Sequence, residues 1–318
     1  MFGHSDLKEI FQRIGTTDIC PVKDCKQSVD RQVKVFKRLD NFKCPDHHIY
    51  ISPSTFEYET ENDNLLWTDN SDLELFNAIK TVKRESRIAR DNSEDAVSWN
   101  VFRFLDRRKL LNPLLSKLSG KQINESELIL WSYSPNEKSQ WSLLNAAREE
   151  FGEVIARGSE PDIIVLTDKG LFFIEAKFLS GNETSPTNKS NSKKYLTGGN
   201  DWYNSVFKNS YQDVAISSEK YELLRFWLLG TWIADKLNTD FYLLSLVLQE
   251  RDTDIEKLFG KHIHQDTKKI FKRITWEDIY SFIATLKLAD SDTNKMKWYF
   301  QNKTQGYNSG QLTKGFSV

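Results

Sequence analysis

Two short apolar runs, Ile163 to Leu166 and Leu171 to Ile174, flank the polar stretch Thr167-Asp168-Lys169-Gly170. Short continuous runs bounded by turn residues predict two central, buried strands joined as a hairpin. Leu128 to Tyr133 predicts an earlier strand, and Phe241 to Leu248 a later one. Helical spacing appears between them. Leu73, Phe76, Ile79 and Val82 share one face of a helix predicted over 71–91, and Leu143, Leu144, Ala147 and Phe151 one over 140–151. Asn92-Ser93 is a good cap for a further helix, with Glu94 and Asp95 in its first turn and Val97, Val101, Phe104 and Leu105 as its apolar face. Apolar segments at 219–237 and 276–286 predict two more helices. Strands interleaved with helices predict an α/β fold, a mixed central sheet flanked by helices.

The polar residues that border the hairpin change the picture. Side chains alternate along a strand, so Glu175 and Lys177 share a face. A two- or four-residue loop centred on Asp168-Lys169 places Asp162 opposite Glu175, with Cβ atoms about 4.5–5.5 Å apart. A three-residue loop with a bulge at Gly170 would disturb that register. Two carboxylates at the edge of a buried sheet repel and are costly to desolvate. A hard divalent cation resolves the conflict, and Mg²⁺ is commonly held by one or two carboxylates with substrate phosphate and water. Lys177 is placed to position a water or to stabilise developing negative charge. The competing expectation is a surface hairpin ending in a solvated Glu and Lys, and the apolar runs on both arms argue against it.

The pattern Pro161-Asp162, twelve residues, then Glu175-Ala176-Lys177 resembles the PD-(D/E)XK nuclease superfamily, which has the restriction endonuclease-like fold. The resemblance implies that Asp162 and Glu175 bind Mg²⁺ or Mn²⁺, that Ala176 offers its carbonyl, and that Lys177 assists the attacking water. Many members carry an acidic residue on a helix before the core sheet. Glu94 matches that position, with Glu149, Glu150 and Glu153 as rivals; complementing the helix dipole is the plain alternative for Glu94. The resemblance spans roughly residues 90 to 285. It implies a (endo)deoxyribonuclease, a hydrolase acting on phosphodiester bonds, with nucleic acid, chiefly DNA, as partner. Restriction, phage defence, mobile-element and repair roles stay open. Double-strand cleavage needs two sites, so a homodimer or partner subunit is an expected possibility. Tyr211-Gln212 and Tyr221 do not reproduce the Gln and Tyr four apart that some members carry, which argues against a RecB-like subgroup.

All three cysteines lie in the first 44 residues: Cys20, Cys25 and Cys44, followed by His47 and His48. Structural zinc takes four soft or borderline ligands, and three Cys with one His is a common set. The cluster predicts a zinc-ribbon-like module over residues 1–60 with either His47 or His48 as fourth ligand. Val33, Val35 and Leu39 are read as a short strand pair between the knuckles. Such a module has almost no core, so metal would supply its folding energy. Residues 60–70 read as a linker, 71–290 as the nuclease domain and 291–318 as a poorly ordered polar tail.

The chain has 318 residues, 39% of them hydrophobic, with 20 Phe and 9 Trp, which excludes global disorder. A net charge of −1 means that any DNA contact rests on local patches: Lys34, Lys37, Arg38 and Lys43; Arg84, Arg87 and Arg90; Lys189, Lys193 and Lys194 in the polar stretch 180–200. No apolar run approaches a membrane span and no signal-peptide core opens the chain, so a cytoplasmic protein with no membrane partner is expected. The rival function is a catalytically inactive, zinc-containing nucleic-acid-binding or interaction protein.

Overall fold

The computed structural model describes residues 1–33, 36–83, 85–188, 192–286 and 290–318. The chain divides into two compact units. One comprises Met1–Asn70, Glu85–Phe104 and Glu277–Val318, and the other Ser71–Arg84 and Leu105–Trp276. This differs from the linear division at 60, 71 and 291 that the sequence suggests.

The second unit is built on a seven-stranded mixed sheet. In chain order its strands are β1 (Ser126–Leu130), β2 (Tyr133–Ser134), β3 (Ser139–Gln140), β4 (Ile163–Thr167), β5 (Gly170–Ala176), β6 (Asp240–Val247) and β7 (Lys269–Thr275). They lie side by side as β7-β6-β5-β4-β1-β2-β3. β4 and β5 form the antiparallel hairpin, closed by the two residues Asp168 and Lys169, and β5, β6 and β7 run parallel. The sequence places β1 and β6 well but does not reveal β7. Leu128–Tyr133 is not one strand: Trp131 and Ser132 take positive φ and turn the chain back into β2.

Three helices of this unit matter for the site: α1 (Ser142–Glu150), α2 (Ser192–Val206) and α3 (Tyr221–Lys236). α3 is the crossover between parallel β5 and β6. Its buried face, with Leu224, Trp227 and Leu228, joins Phe173, Phe241 and Leu243 of the sheet in one apolar cluster. Each such side chain contributes about 1.5–3 kcal/mol by leaving water. Gly230 permits the close approach, because a Cβ there would stand 2.1 Å from the Phe241 ring. The polar stretch 180–200 is partly helical. α2 begins inside it, broken at Gly198–Asp201 where the backbone leaves helical values, and Tyr195 is buried.

In the first unit, short strands Arg13–Ile14, Thr17–Ile19 and Ser28–Asp30 form one small sheet, and Ile49–Ile51 pairs with Phe56–Tyr58. Of the residues expected to form a short strand pair, Val33 and Leu39 are exposed and belong to no strand, and Lys34 and Val35 lie outside the described residues. Residues 60–70 are no linker, since Leu65, Leu66 and Trp67 are buried and Asn100 binds both the Leu66 amide (2.7 Å) and, through its carbonyl, the Trp67 indole (2.7 Å). The helix predicted over 71–91 stops at Lys80. Residues 87–90 instead make a turn, closed by the Arg90 amide on the Arg87 carbonyl (3.0 Å) and held by the Asn64 side-chain amide on the Ile88 and Arg90 carbonyls and by the Tyr58 amide on the Ala89 carbonyl. The C-terminal segment is also ordered. It forms a helix over Ser291–Asn302 and a hairpin of Thr304–Asn308 with Gln311–Lys314. Tyr307 and Leu312 of that hairpin share a core with Leu7, Phe11, the three cysteines, Ile51 and Phe56. The zinc-type module thus has a core, part of it supplied from the far end of the sequence.

Candidate metal centre and hairpin site

The N-terminal cluster is assembled from two chain reversals. Cys20 and Cys25 flank a turn whose carbonyls at both cysteines accept from Lys8 Nζ at 2.6 Å. Cys44 and His47 sit on a second turn, closed by the Cys44 amide on the Ile49 carbonyl. The ligand atoms of Cys20, Cys25, Cys44 and His47 all lie within 4.8 Å of one another. Zn–S bonds of about 2.3 Å and Zn–N of about 2.0–2.1 Å in a tetrahedron require S···S edges of about 3.8 Å and S···N edges of about 3.6 Å. Here Cys25 Sγ to Cys44 Sγ is 3.9 Å, and His47 Nδ1 is 3.6 Å from both Cys20 Sγ and Cys44 Sγ. The set can hold zinc. His47, not His48, completes it: His48 takes φ +53° and turns its ring outward to Glu59, 3.6 Å away. Burial pushes the Cys20 and Cys44 thiols up, so a bound cation would be needed to hold them as thiolates.

In the hairpin the pairing Ile174 with Ile163, continued by one residue, sets Asp162 opposite Glu175. The two-residue loop is what preserves this register. Asp162 Oδ2 accepts from the Ala176 amide at 3.0 Å. Within a strand the N–H and C=O of one residue point to the same neighbour, so the Ala176 carbonyl also faces the Asp162 side. Glu175 and Lys177 lie on the α3 face of the sheet, the face of Phe173. Lys177 Nζ donates to Glu175 Oε1 at 2.5 Å and to Glu222 Oε2, in the first turn of α3, at 2.7 Å. The other Glu175 oxygen is buried with no hydrogen-bond partner among the described residues.

Burial, with the charges of Asp162 and Glu222 behind it, raises the Glu175 carboxyl well above the usual range, and Lys177 offsets only part of this. For Glu222, burial also favours the neutral form, but Lys177 and Arg225 outweigh it and the net shift is downward. Asp162, Glu175, Ala176 and Lys177 are therefore brought together by the hairpin, and the crossover helix adds Glu222, which sequence reasoning missed. The one signal for Glu222 was an acid in the first turn of an apolar helix.

Glu94 opens the helix Glu94–Arg107, whose start is capped by Ser93 Oγ on the Ala96 amide (3.2 Å). It belongs to the first compact unit, and the hairpin to the second. Among its rivals, Glu153 is buried and satisfied by the Ser159 amide (2.5 Å), the Ser159 hydroxyl (2.6 Å) and the Tyr195 hydroxyl (2.9 Å). Glu150 accepts from the Gly199 amide (3.0 Å), and Glu149 is exposed.

The basic patches are less open than the sequence suggests. Arg87 faces Glu85 at 3.7 Å and Arg90 faces Glu57 at 3.5 Å. Arg38 donates to the Tyr58 and Glu59 carbonyls, and Lys43 pairs with Glu59. Arg84 and Lys189 lie outside the described residues. Among the described residues, no helix is long and apolar enough to cross a membrane. Comparison with family models, with curated proteins and with solved structures gives no match for this chain.

Proposed function

We propose that this protein is a metal-dependent nuclease of the PD-(D/E)XK type that hydrolyses DNA phosphodiester bonds, with a structural zinc in its first unit. The observation that carries the reading is the Glu175 carboxylate. It is buried, one of its oxygens has no partner among the described residues, and two other carboxylates bear on it. A carboxyl in that company either keeps its proton or shares a cation. Mg²⁺ or Mn²⁺ held by Asp162 and Glu175, with the Ala176 carbonyl, supplies a polarised phosphate oxygen and a more acidic water. Lys177, oriented by Glu175 on one side and Glu222 on the other, is positioned to hold that water or to meet the charge that develops on the phosphate.

Nicking of supercoiled plasmid tests this reading. Cleavage is expected with Mg²⁺ or Mn²⁺, none with EDTA, and none from Asp162→Asn or Glu175→Gln in proteins that fold as the parent does. A Glu175→Gln protein that cleaves at the parental rate would sink the reading. Tight DNA binding with no cleavage under any divalent cation would favour the inactive, zinc-containing nucleic-acid-binding protein instead.

A further inference from the structure

One turn of helix beyond Glu222, α3 carries Arg225, whose guanidinium lies over the Tyr221 ring at 4.6 Å from its centroid. Its Nε is buried without a hydrogen-bond partner among the described residues. The carboxylate that acts on it most strongly, Glu153, is already occupied by Ser159 and Tyr195. A second unmatched donor stands beside it. Tyr211 is 4% exposed, yet its hydroxyl has no hydrogen-bond partner among the described residues. The Tyr211 ring stacks with Tyr195 (6.1 Å) and meets Tyr221 edge-on (6.4 Å). The Tyr221 hydroxyl lies 3.2 Å from that of Tyr195. Buried polar groups are normally satisfied, so two neighbouring donors without an acceptor indicate that an acceptor joins them in the working protein.

The acceptor that suits a guanidinium and a phenol together is an oxyanion with several oxygens. A guanidinium offers two parallel N–H groups to a phosphate, and the aromatic face beneath it fixes its plane. Three residues of helix separate Arg225 from Glu222, about 4.5 Å along the axis, so Arg225 stands one turn from the carboxylate that holds Lys177. We propose that Arg225 and Tyr211 form a phosphate subsite that grips the nucleic-acid strand next to the phosphate attacked at Asp162 and Glu175. The proposal rests on the nuclease reading and assigns that site its neighbouring backbone contact.

The test measures binding of a fluorescent DNA duplex by anisotropy, with Ca²⁺ in place of Mg²⁺ so that affinity is read without turnover. Log affinity is followed against log salt for the parent, Arg225→Met, Arg225→Lys and Tyr211→Phe, each checked for parental thermal unfolding. Loss of one phosphate contact lowers the slope by about 0.9, so Arg225→Met should show that drop while Arg225→Lys keeps the slope. Tyr211→Phe should weaken binding severalfold with the slope unchanged. A series of duplexes with one neutral methylphosphonate moved along the strand should contain one position that weakens the parent and leaves Arg225→Met indifferent. Equal slopes for the parent and Arg225→Met, with no such position, would overturn the subsite and leave the nuclease reading standing. No DNA binding by the parent would overturn both. Saturation by inorganic phosphate alone, with DNA affinity unaffected by Arg225→Met, would assign the donors to a free anion and overturn the strand contact.

Discussion

Lys177 Nζ, at the end of strand β5, lies 2.7 Å from Glu222 Oε2, at the start of helix α3. This contact ties the hairpin to the crossover helix and aims the ammonium. Lys177→Met should leave Glu175 and Glu222 facing each other without their shared cation. Removing one partner of a buried pair costs about 3–5 kcal/mol, and the partial exposure of Glu222 sets this one near about 3. Urea unfolding at neutral pH reads the loss, and added Mg²⁺ should restore part of it. On the nuclease reading, single-turnover cleavage falls about 10²-fold or more, while DNA and metal binding persist.

Glu175 sets a pH dependence. Its folded-state proton affinity is raised, by burial first and then by Asp162 and Glu222. The folded protein therefore holds a proton that the unfolded chain has already released. Its contribution to stability should be fully present below the ordinary carboxylate range and be lost as pH rises from there through the raised value. Glu175→Gln should flatten that decline, measured as thermal midpoint against pH without divalent cation. An unchanged pH profile in the variant would show that Glu175 ionises normally.

His47→Ala should abolish stoichiometric zinc, whereas His48→Ala should leave it, because only His47 points Nδ1 at the sulfurs. Metal content by mass spectrometry distinguishes the two. Zinc loss should also raise hydrogen exchange in the hairpin 304–314, since Tyr307 and Leu312 pack in the same core as the cysteines.

Lys303 and Asp91 are both almost fully buried, with Nζ 3.7 Å from Oδ1, and Thr304 Oγ1 donates to the other Asp91 oxygen at 2.6 Å. Lys303→Met strands Asp91 in the interior and should cost about 3–5 kcal/mol by denaturant unfolding. Adding Asp91→Asn to it should recover much of the loss, because both charges are then gone.

Hairpin register was legible up to the length of the loop: a two- or four-residue loop sets Asp162 opposite Glu175, and the structure has the two-residue one. The Cys-His cluster was legible because cysteine is otherwise missing from the chain. Glu222 was not, because 45 residues separate it from Lys177 and a first-turn acid looks like any dipole partner. Leu65-Leu66-Trp67 was hidden among acidic neighbours that resemble a linker. The C-terminal hairpin escaped notice because Tyr307, Leu312 and Phe316 show no period of their own. Phe316 packs on Phe300, and Tyr307 and Leu312 are buried against residues about 300 positions away.

That separation constrains the order in which the protein is made. The Tyr307 hydroxyl binds the Lys8 carbonyl at 2.8 Å, and the Leu312 amide binds the Glu9 carbonyl at 2.8 Å. At roughly 5–20 residues per second, a ribosome needs about 15–60 s to travel from one partner to the other. For most of that interval the cysteine-bearing segment is outside the ribosome with one wall of its core still unsynthesised. Zinc capture by the nascent chain would tether the two turns during the wait. In ribosome-bound chains arrested before residue 303, the three thiols should react with a maleimide when zinc is withheld and resist it when zinc is supplied.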